Sequence, residues 1–269
     1  DSLLTSCESV CIIACGSAMH AGLAGQFLMK KFLHIPVSVE MASEFMYTDP
    51  VVDEKTLVIA VSQSGETIDT LEALKYAKQK GAGSLAVINV KGSSIARESD
   101  AVLYTNAGPE IAVASTKAYT SQLALFALLV ARMAYVRGDF TETETRDFVR
   151  ELKRVPDAME KVLAGKEKIH HIAGRIISAK DIFMIGRGLD YFIAMEGSLK
   201  LKEVSYIHSE AYASGELKHG PLALITEHTP VVAVATQKQL LSKEVSNIRE
   251  VRSRGADVVL FAKEQLMPE

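Results

Sequence analysis

Ser62-Gln63-Ser64-Gly65-Glu66-Thr67 sets three hydroxyls and an amide side chain between an apolar run, Leu57 to Val61, and an amphipathic stretch from Ile68 to Lys80 closed by Gly81. Such residues at a strand-to-helix junction suit an anion. The first N–H groups of a helix have no partner within it, and the aligned peptide dipoles favour negative charge there. No Lys or Arg stands between Val61 and Leu74. The loop therefore fits a compact phosphomonoester gripped by many hydrogen bonds better than a polyphosphate clamped by lysine and magnesium. A sugar phosphate is the first expectation, and an ordinary polar turn with a serine cap is the alternative.

A second set of residues could move protons. Glu196, Lys200 and Glu203 recur at i, i+4 and i+7 on a helix predicted from about Tyr191 to Tyr206, flanking an apolar stripe of Ile193, Gly197, Leu201 and Val204. Their side chains fall at the edge of the core. Partial desolvation there raises a carboxylate's basicity, and the adjacent ammonium opposes that rise. Glu203 is the candidate base; a salt-bridged helix face is the bland alternative.

The elements that must hold these residues form a repeat. A strand at Val10 to Ala14 leads into Cys15-Gly16-Ser17-Ala18 and a helix to about Leu33, and Asp181 to Ile185 leads likewise into Gly186-Arg187-Gly188 and a helix to about Tyr206. Ala42-Ser43-Glu44-Phe45 matches Ser214-Gly215-Glu216-Leu217, Leu57 to Val61 matches Val231 to Ala235, and Gly81 matches Gly255. The offset is 172 for Glu216 against Glu44 and 174 for Gly255 against Gly81. Near-constant spacing predicts an α/β protein of two doubly wound parallel-sheet domains in tandem, with ligand sites at the strand ends.

The expected first domain is 1–138, with further strands at Ser84 to Val90 and Ala101 to Thr105 and a long helix from about Ser115 to Tyr135. A helical linker, 139–180, opens with the capping box Thr141-Glu142-Thr143-Glu144. The second domain, 181–269, offers Asp257 to Ala262 and then stops. Adding 174 to Ala101 gives position 275, beyond the last residue, so the second copy reads as truncated before its final strand and helix. A chain ending there is expected to be weakly active at best and to leave an apolar sheet face open.

Composition narrows the class. A formal charge of −3 and a pI near 6.2 provide no basic field for nucleic acid. The longest wholly apolar run, Leu123 to Ala131, is too short to span a bilayer. Cys7, Cys11 and Cys15 match no zinc spacing, and Cys11 and Cys15 fall on one face of the predicted strand. Free thiols in a reducing, cytoplasmic setting are expected, with no nucleic acid and no membrane as partners.

SQSGET at Ser62 to Thr67, GPEIAVASTKAYTSQL at Gly108 to Leu123, and EGSLKLKEVSYIHSEAYASGELKHGPLAL at Glu196 to Leu224 resemble the isomerase half of the glucosamine-6-phosphate synthase family. The resemblance covers essentially the whole chain and implies two sugar isomerase (SIS) domains that take ammonia and fructose 6-phosphate to glucosamine 6-phosphate. It implies Glu203 for the proton transfer between C1 and C2, Lys200 close to the sugar, and His219 as ring opener reaching a neighbouring subunit of a homodimer. It also implies Ser62, Gln63, Ser64 and Thr67 as the phosphate loop, with Ser17, Val113 (through its backbone) and Ser115 as sugar contacts. Ser115 equally fits the N-cap of the long helix. Where many relatives carry Thr-Ser this chain has Ser17-Ala18, so Ala18 lacks a hydroxyl, a loss worth about 1 kcal/mol of affinity.

That chemistry needs two acid/base groups and a phosphate anchor, and demands no cofactor and no metal. The family's glutaminase domain, expected upstream, and its C-terminal lysine tail have no counterpart between Asp1 and Glu269. Two other readings stay open: another SIS-fold sugar-phosphate isomerase or deglycase, and a noncatalytic sugar-phosphate sensor. A sensor would need the Ser62 to Thr67 loop but has no use for Glu203 and His219.

Overall fold

The structure, a computed structural model, describes residues 1–266. The chain divides into two compact units, Asp1–Pro156 and the part from Asp157 onward. The first contains α1 (Ser2–Ser6), β1 (Ser9–Ala14), α2 (Gly16–Leu33), β2 (Val37–Met41), α3 (Ala42–Phe45), β3 (Thr56–Ser62), α4 (Ile68–Gln79), β4 (Gly83–Ile88), α5 (Ser94–Glu98), β5 (Ala101–Tyr104), α6 (Lys117–Arg137) and α7 (Glu142–Leu152). Its five strands are all parallel, in the order β2-β1-β3-β4-β5.

Alternation along the central strands feeds two cores. Val10, Ile12, Leu57, Ile59, Leu85 and Val87 pack with Met29 and Leu33 of α2 and Phe126, Val130 and Met133 of α6. Their neighbours Cys11, Ile13, Val58, Ala60, Ala86 and Ile88 pack with Phe45, Ala73, Leu74, Ala77 and Ile95. Helices thus cover both faces, as the apolar runs predict. By length and composition α6 could cross a bilayer, but half of its apolar window is buried, with Phe126 and Met133 fully enclosed. Its apolarity serves the core.

All three cysteines are free. Cys11 is buried, and burial pushes its thiol up to about 11. Cys15 does not share a strand face with it, because β1 ends at Ala14 and Cys15 is the N-cap of α2.

The second unit takes in α8 (Val155–Ala164), whose first residues precede the division, then α9 (Lys166–Ile176), β6 (Asp181–Gly186), α10 (Leu189–Ser205), β7 (His208–Ala213), a 3-10 turn at Ser214–His219, β8 (Pro230–Ala235), α11 (Leu241–Ser253) and β9 (Asp257–Ala262). Its strands are parallel in the order β7-β6-β8-β9. That repeats the first sheet's order, β6 standing for β1 and β8 for β3. Gly81 and Gly255 both follow helix ends at positive φ, +94° and +88°, and Phe45 and Leu217 both plug the turn after the first edge strand.

The capping box at Thr141 is formed: Thr141 N–H donates to Glu144 Oε2 (2.8 Å), and Glu144 N–H to Thr141 Oγ1 (3.2 Å). The helix it starts, α7, sets Phe148 against Phe32 and Phe140, at ring distances of 5.7 and 6.0 Å. The division of the chain accordingly falls inside the helical segment 139–180, after α7.

Candidate functional site

In the first unit β3 delivers Ser62, buried, to the carboxyl end of the sheet. Its Oγ accepts the Gly65 N–H (3.0 Å) and shares a hydrogen bond with Thr67 Oγ1 (3.0 Å), while Ser64 Oγ accepts the Glu66 N–H (3.2 Å). The loop is closed on itself. It is also pinned to the β4–α5 turn: Asn89 N–H donates to Gln63 O, Ile95 N–H to Gly65 O, and Ser94 N–H to Glu66 Oε1. The bonds from Ser94 hold the Glu66 carboxyl below the usual carboxylate range. Thr67 is the N-cap of α4, and no side chain caps that end. The first N–H groups of α4 are left for an anion.

Ser17 lies in the first turn of α2, beyond the same end of the sheet, since β1 and β3 run in register with Ile13 beside Ala60. Cys15 Sγ lies 3.9 Å from Thr70 Oγ1 and joins that turn to α4. Val113, exposed, and Ser115, half-buried, sit in the loop after β5. Asn89, which sequence reasoning missed, ties that loop to the phosphate loop: its Oδ1 accepts Thr105 Oγ1–H and the Ala107 N–H, and its Nδ2 donates to Gly108 O (2.7 Å).

Ser115 is not the N-cap of the long helix. Thr116 holds that place without a side-chain cap, and Glu110 Oε2 accepts the N–H groups of Thr116 (3.2 Å) and Ala118 (2.9 Å) instead. A carboxylate at a helix N-terminus answers both the orphan donors and the dipole. Glu110→Ala is therefore expected to destabilise the first unit by about 1 kcal/mol, and Ser115→Ala by less than half of that. Urea midpoints would check this; the reverse ranking would restore Ser115 as the cap.

In the second unit the helix of interest is α10. It begins against β6 because Gly186 allows it: a Cβ there would lie 2.6 Å from the Asp190 backbone carbonyl carbon. Gly197 seats the helix on Met184. Glu196 is buried, and Lys200 Nζ stands 3.5 Å from Glu196 Oε1 while also pairing with Glu203 Oε2. The side chains of Lys200 and Glu203 are 20% and 25% exposed, so this is no solvated ion-pair face. Lys200 Nζ and Glu203 Oε2 are shut off from solvent, and neither makes a hydrogen bond of regular geometry among the described residues. Each keeps capacity for a further partner.

His219 ends the 3-10 turn and is followed by Gly220 at φ +141°. It is exposed, and among the described residues no hydrogen bond or ion pair engages its ring. The structure thus brings Lys200 and Glu203 together and does not join His219 to them. Among the described residues no group of three or more His, Cys, Asp or Glu is placed to hold a metal ion. One unit offers neutral hydrogen-bond donors to an anion, and the other a carboxylate and an ammonium suited to proton transfer.

The family model described as SIS domain matches residues 3–132 and 175–268. The chain is 54% identical over 261 residues to glutamine–fructose-6-phosphate aminotransferase (isomerizing) of Caldanaerobacter subterraneus, covering 97% of this chain and 43% of that protein. It is 51% identical over 257 residues to the protein of that name from Thermus thermophilus, covering 96% and 42%. Among solved structures, the C-terminal domain of glucosamine-fructose-6-phosphate aminotransferase from Francisella tularensis superposes with a TM-score of 0.96 at 42% identity, over 98% of this chain and 75% of that one. The chain spans less than half the length of these curated relatives.

Proposed function

The chain belongs to the SIS domain family, and from that premise we propose that it is the isomerase part of a glutamine–fructose-6-phosphate aminotransferase, converting fructose 6-phosphate and ammonia to glucosamine 6-phosphate and water. The observation that carries the reading is the α10 cluster, in which Lys200 stands between Glu196 and Glu203, largely withdrawn from water. A protein that only senses a sugar phosphate has no use for it.

The steps divide among residues by their chemistry. Ser62, Gln63, Ser64 and Thr67, with the α4 N-terminus, hold the phosphate, and Ser17, Val113 and Ser115 contact the sugar. His219 opens the ring by taking the proton of the anomeric hydroxyl and supplying one to the ring oxygen, for which an imidazole near neutrality is suited. Ammonia adds to the C2 carbonyl and water leaves. The resulting imine acidifies the C1–H bonds: Glu203 takes a proton from C1 as the imine nitrogen gains one, giving an enolamine, and returns a proton to C2 as the C1 hydroxyl gives up its own and becomes the aldehyde. Lys200, beside Glu203, stabilises negative charge developing on the sugar oxygens.

An exposed His219 with no partner among the described residues suits a group whose target lies on a neighbouring subunit, so the working unit is a homodimer. A glutaminase domain supplies ammonia in the whole protein, and the compartment is the cytoplasm. The test supplies fructose 6-phosphate with and without excess ammonium and measures both hexose products. Glucosamine 6-phosphate that appears only with ammonium is expected. Amine-independent glucose 6-phosphate alone would move the protein to the aldose–ketose isomerases, and tight binding without turnover in a full-length domain would move it to the sensors.

A further inference from the structure

The turn that carries His219 is held from beneath by a buried polar cluster that the reaction itself does not use. Ser214 opens the turn, is fully buried, and donates from Oγ to Glu244 Oε1 at 2.7 Å. Glu244, on α11, is itself 2% exposed. Its second oxygen, Oε2, makes no hydrogen bond among the described residues and lies 3.8 Å from Nε of Arg187. Arg187, from the Gly186-Arg187-Gly188 turn, is locked by Asn247 Oδ1, which accepts from its Nη2 (2.7 Å) and Nε (3.2 Å). The chain at Gly215 runs directly over this guanidinium, since a Cβ there would come within 3.1 Å of Nη2.

The next residues are pinned in the same direction. Leu217 is fully buried in the core of this unit, and Lys218 Nζ reaches Glu250 Oε1, again on α11, at 3.3 Å. Ser214 and Leu217 are thus drawn inward, Gly215 lies over Arg187, and the exposed Lys218 is tied back to α11, so the backbone that carries the exposed His219 is fixed on its N-terminal side.

The same place in the first unit holds a different arrangement. With the offsets of 172 and 174 residues that relate the copies, Arg187 corresponds to Cys15 and Glu244 to Thr70, a pair that meets there at 3.9 Å. Where the first copy has a weak thiol–hydroxyl contact, the second has a buried carboxylate facing a half-buried guanidinium, and burying that carboxylate is expensive in a core. A need for conformational definition accounts for it where stability does not. A side chain that must place a proton within about 0.5 Å depends on backbone fixed by neighbours.

We propose that Glu244, with Arg187 and Ser214, is the positioning group that fixes the His219 turn for ring opening. The inference rests on the assignment of ring opening to His219 above, and it goes further by predicting which step fails. Ring opening moves the proton of the C2 hydroxyl away as the C2 carbonyl forms, breaks the bond from C2 to the ring oxygen, and returns a proton to that oxygen. A substrate that cannot close a ring skips this step. 5-Deoxyfructose 6-phosphate has no hydroxyl on C5 to attack C2, and its C6 oxygen is esterified, so it exists only in the open form.

In the full-length protein with ammonium, Glu244→Ala and Ser214→Ala are expected to lower kcat/KM for fructose 6-phosphate by about 30-fold or more, the scale of a misplaced catalytic group. The same variants should act on the 5-deoxy compound within about threefold of the parent, and Glu244→Gln, which keeps an acceptor for Ser214, should recover most of the lost rate. Circular dichroism and the unfolding midpoint confirm that each variant is folded; if Glu244→Ala is not, Ser214→Ala alone decides. Equal loss on both compounds in a folded variant makes the cluster merely structural and overturns the proposal, as does no loss on either. Parent protein inert towards both compounds would instead overturn the ring-opening assignment and the proposal with it, an outcome distinct from a variant that fails alone.

Discussion

Glu203→Gln is expected to lower kcat for glucosamine 6-phosphate formation by about a thousandfold while leaving fructose 6-phosphate affinity within about threefold of the parent. The glutamine is isosteric but cannot take a proton from C1, and the phosphate that supplies much of the affinity is assigned to the Ser62 to Thr67 loop of the other unit. The substitution should not unfold α10. Removing one partner of a buried ion pair is normally damaging because it strands the other charge. Here Lys200 keeps Glu196, 3.5 Å away, as a counter-ion. Calorimetric titration with fructose 6-phosphate and a product assay under excess ammonium separate the two quantities. A variant that binds normally and still turns over at the parental rate would remove Glu203 from the chemistry and leave the α10 cluster a structural salt bridge.

Much of this arrangement was legible because the central strands are buried on both faces and read as continuous apolar runs. Val10 to Ala14, Leu57 to Val61 and Val231 to Ala235 are such strands, within a residue at each end, and Asp257 to Ala262 is a strand whose apolar run shows although it lies at the sheet's edge and is only partly buried. The two strands that sequence reasoning missed, β2 and β7, are edge strands, each paired on one side and only partly buried. In His208–Ala213 a histidine, a serine and a glutamate break any apolar pattern. The recurrence of the phosphate-loop geometry at a strand end followed from hydroxyls, a glycine and a helical period, all local signals. Glu110, Asn89 and Glu244 act through contacts far along the chain, and for them the local signal is weak. Glu110 reaches a helix that starts seven residues later, outside the spacing of any capping box. Glu244 did leave a trace: with Asn247, Ile248 and Val251 it falls on the buried stripe of α11, where a carboxylate is out of place unless it holds something.

Gly65→Ala is the second large effect expected, and Gly92→Ala is its control. Both glycines have left-handed backbones, φ +68° and +71°. At Gly92 a Cβ would meet nothing within 4 Å, so the substitution should lose only the left-handed penalty, about 1 kcal/mol. At Gly65 the added carbon would stand 2.0 Å from Ser93 Oγ, 2.6 Å from Ser93 Cβ and 2.9 Å from Ile88 Cγ2. Ser93 and Ile88 are both buried, so neither can simply swing aside, and overpacking adds to the penalty for a total of about 3 kcal/mol. The chain relieves the clash most cheaply by lifting residues 63–66 off the β4–α5 turn. That breaks the Gly65 N–H bond to Ser62 Oγ and the Ile95 N–H bond to Gly65 O, both 3.0 Å, and turns the loop's donors away from the α4 N-terminus. Two or three hydrogen bonds to a phosphate lost in this way should weaken fructose 6-phosphate binding by about 100-fold, whereas Gly92→Ala should bind as the parent does. Urea unfolding and calorimetric titration of the pair would measure both. A Gly65→Ala protein that binds the sugar phosphate normally would mean that the anion sits elsewhere, and the hydroxyl-rich turn would revert to an ordinary helix entry.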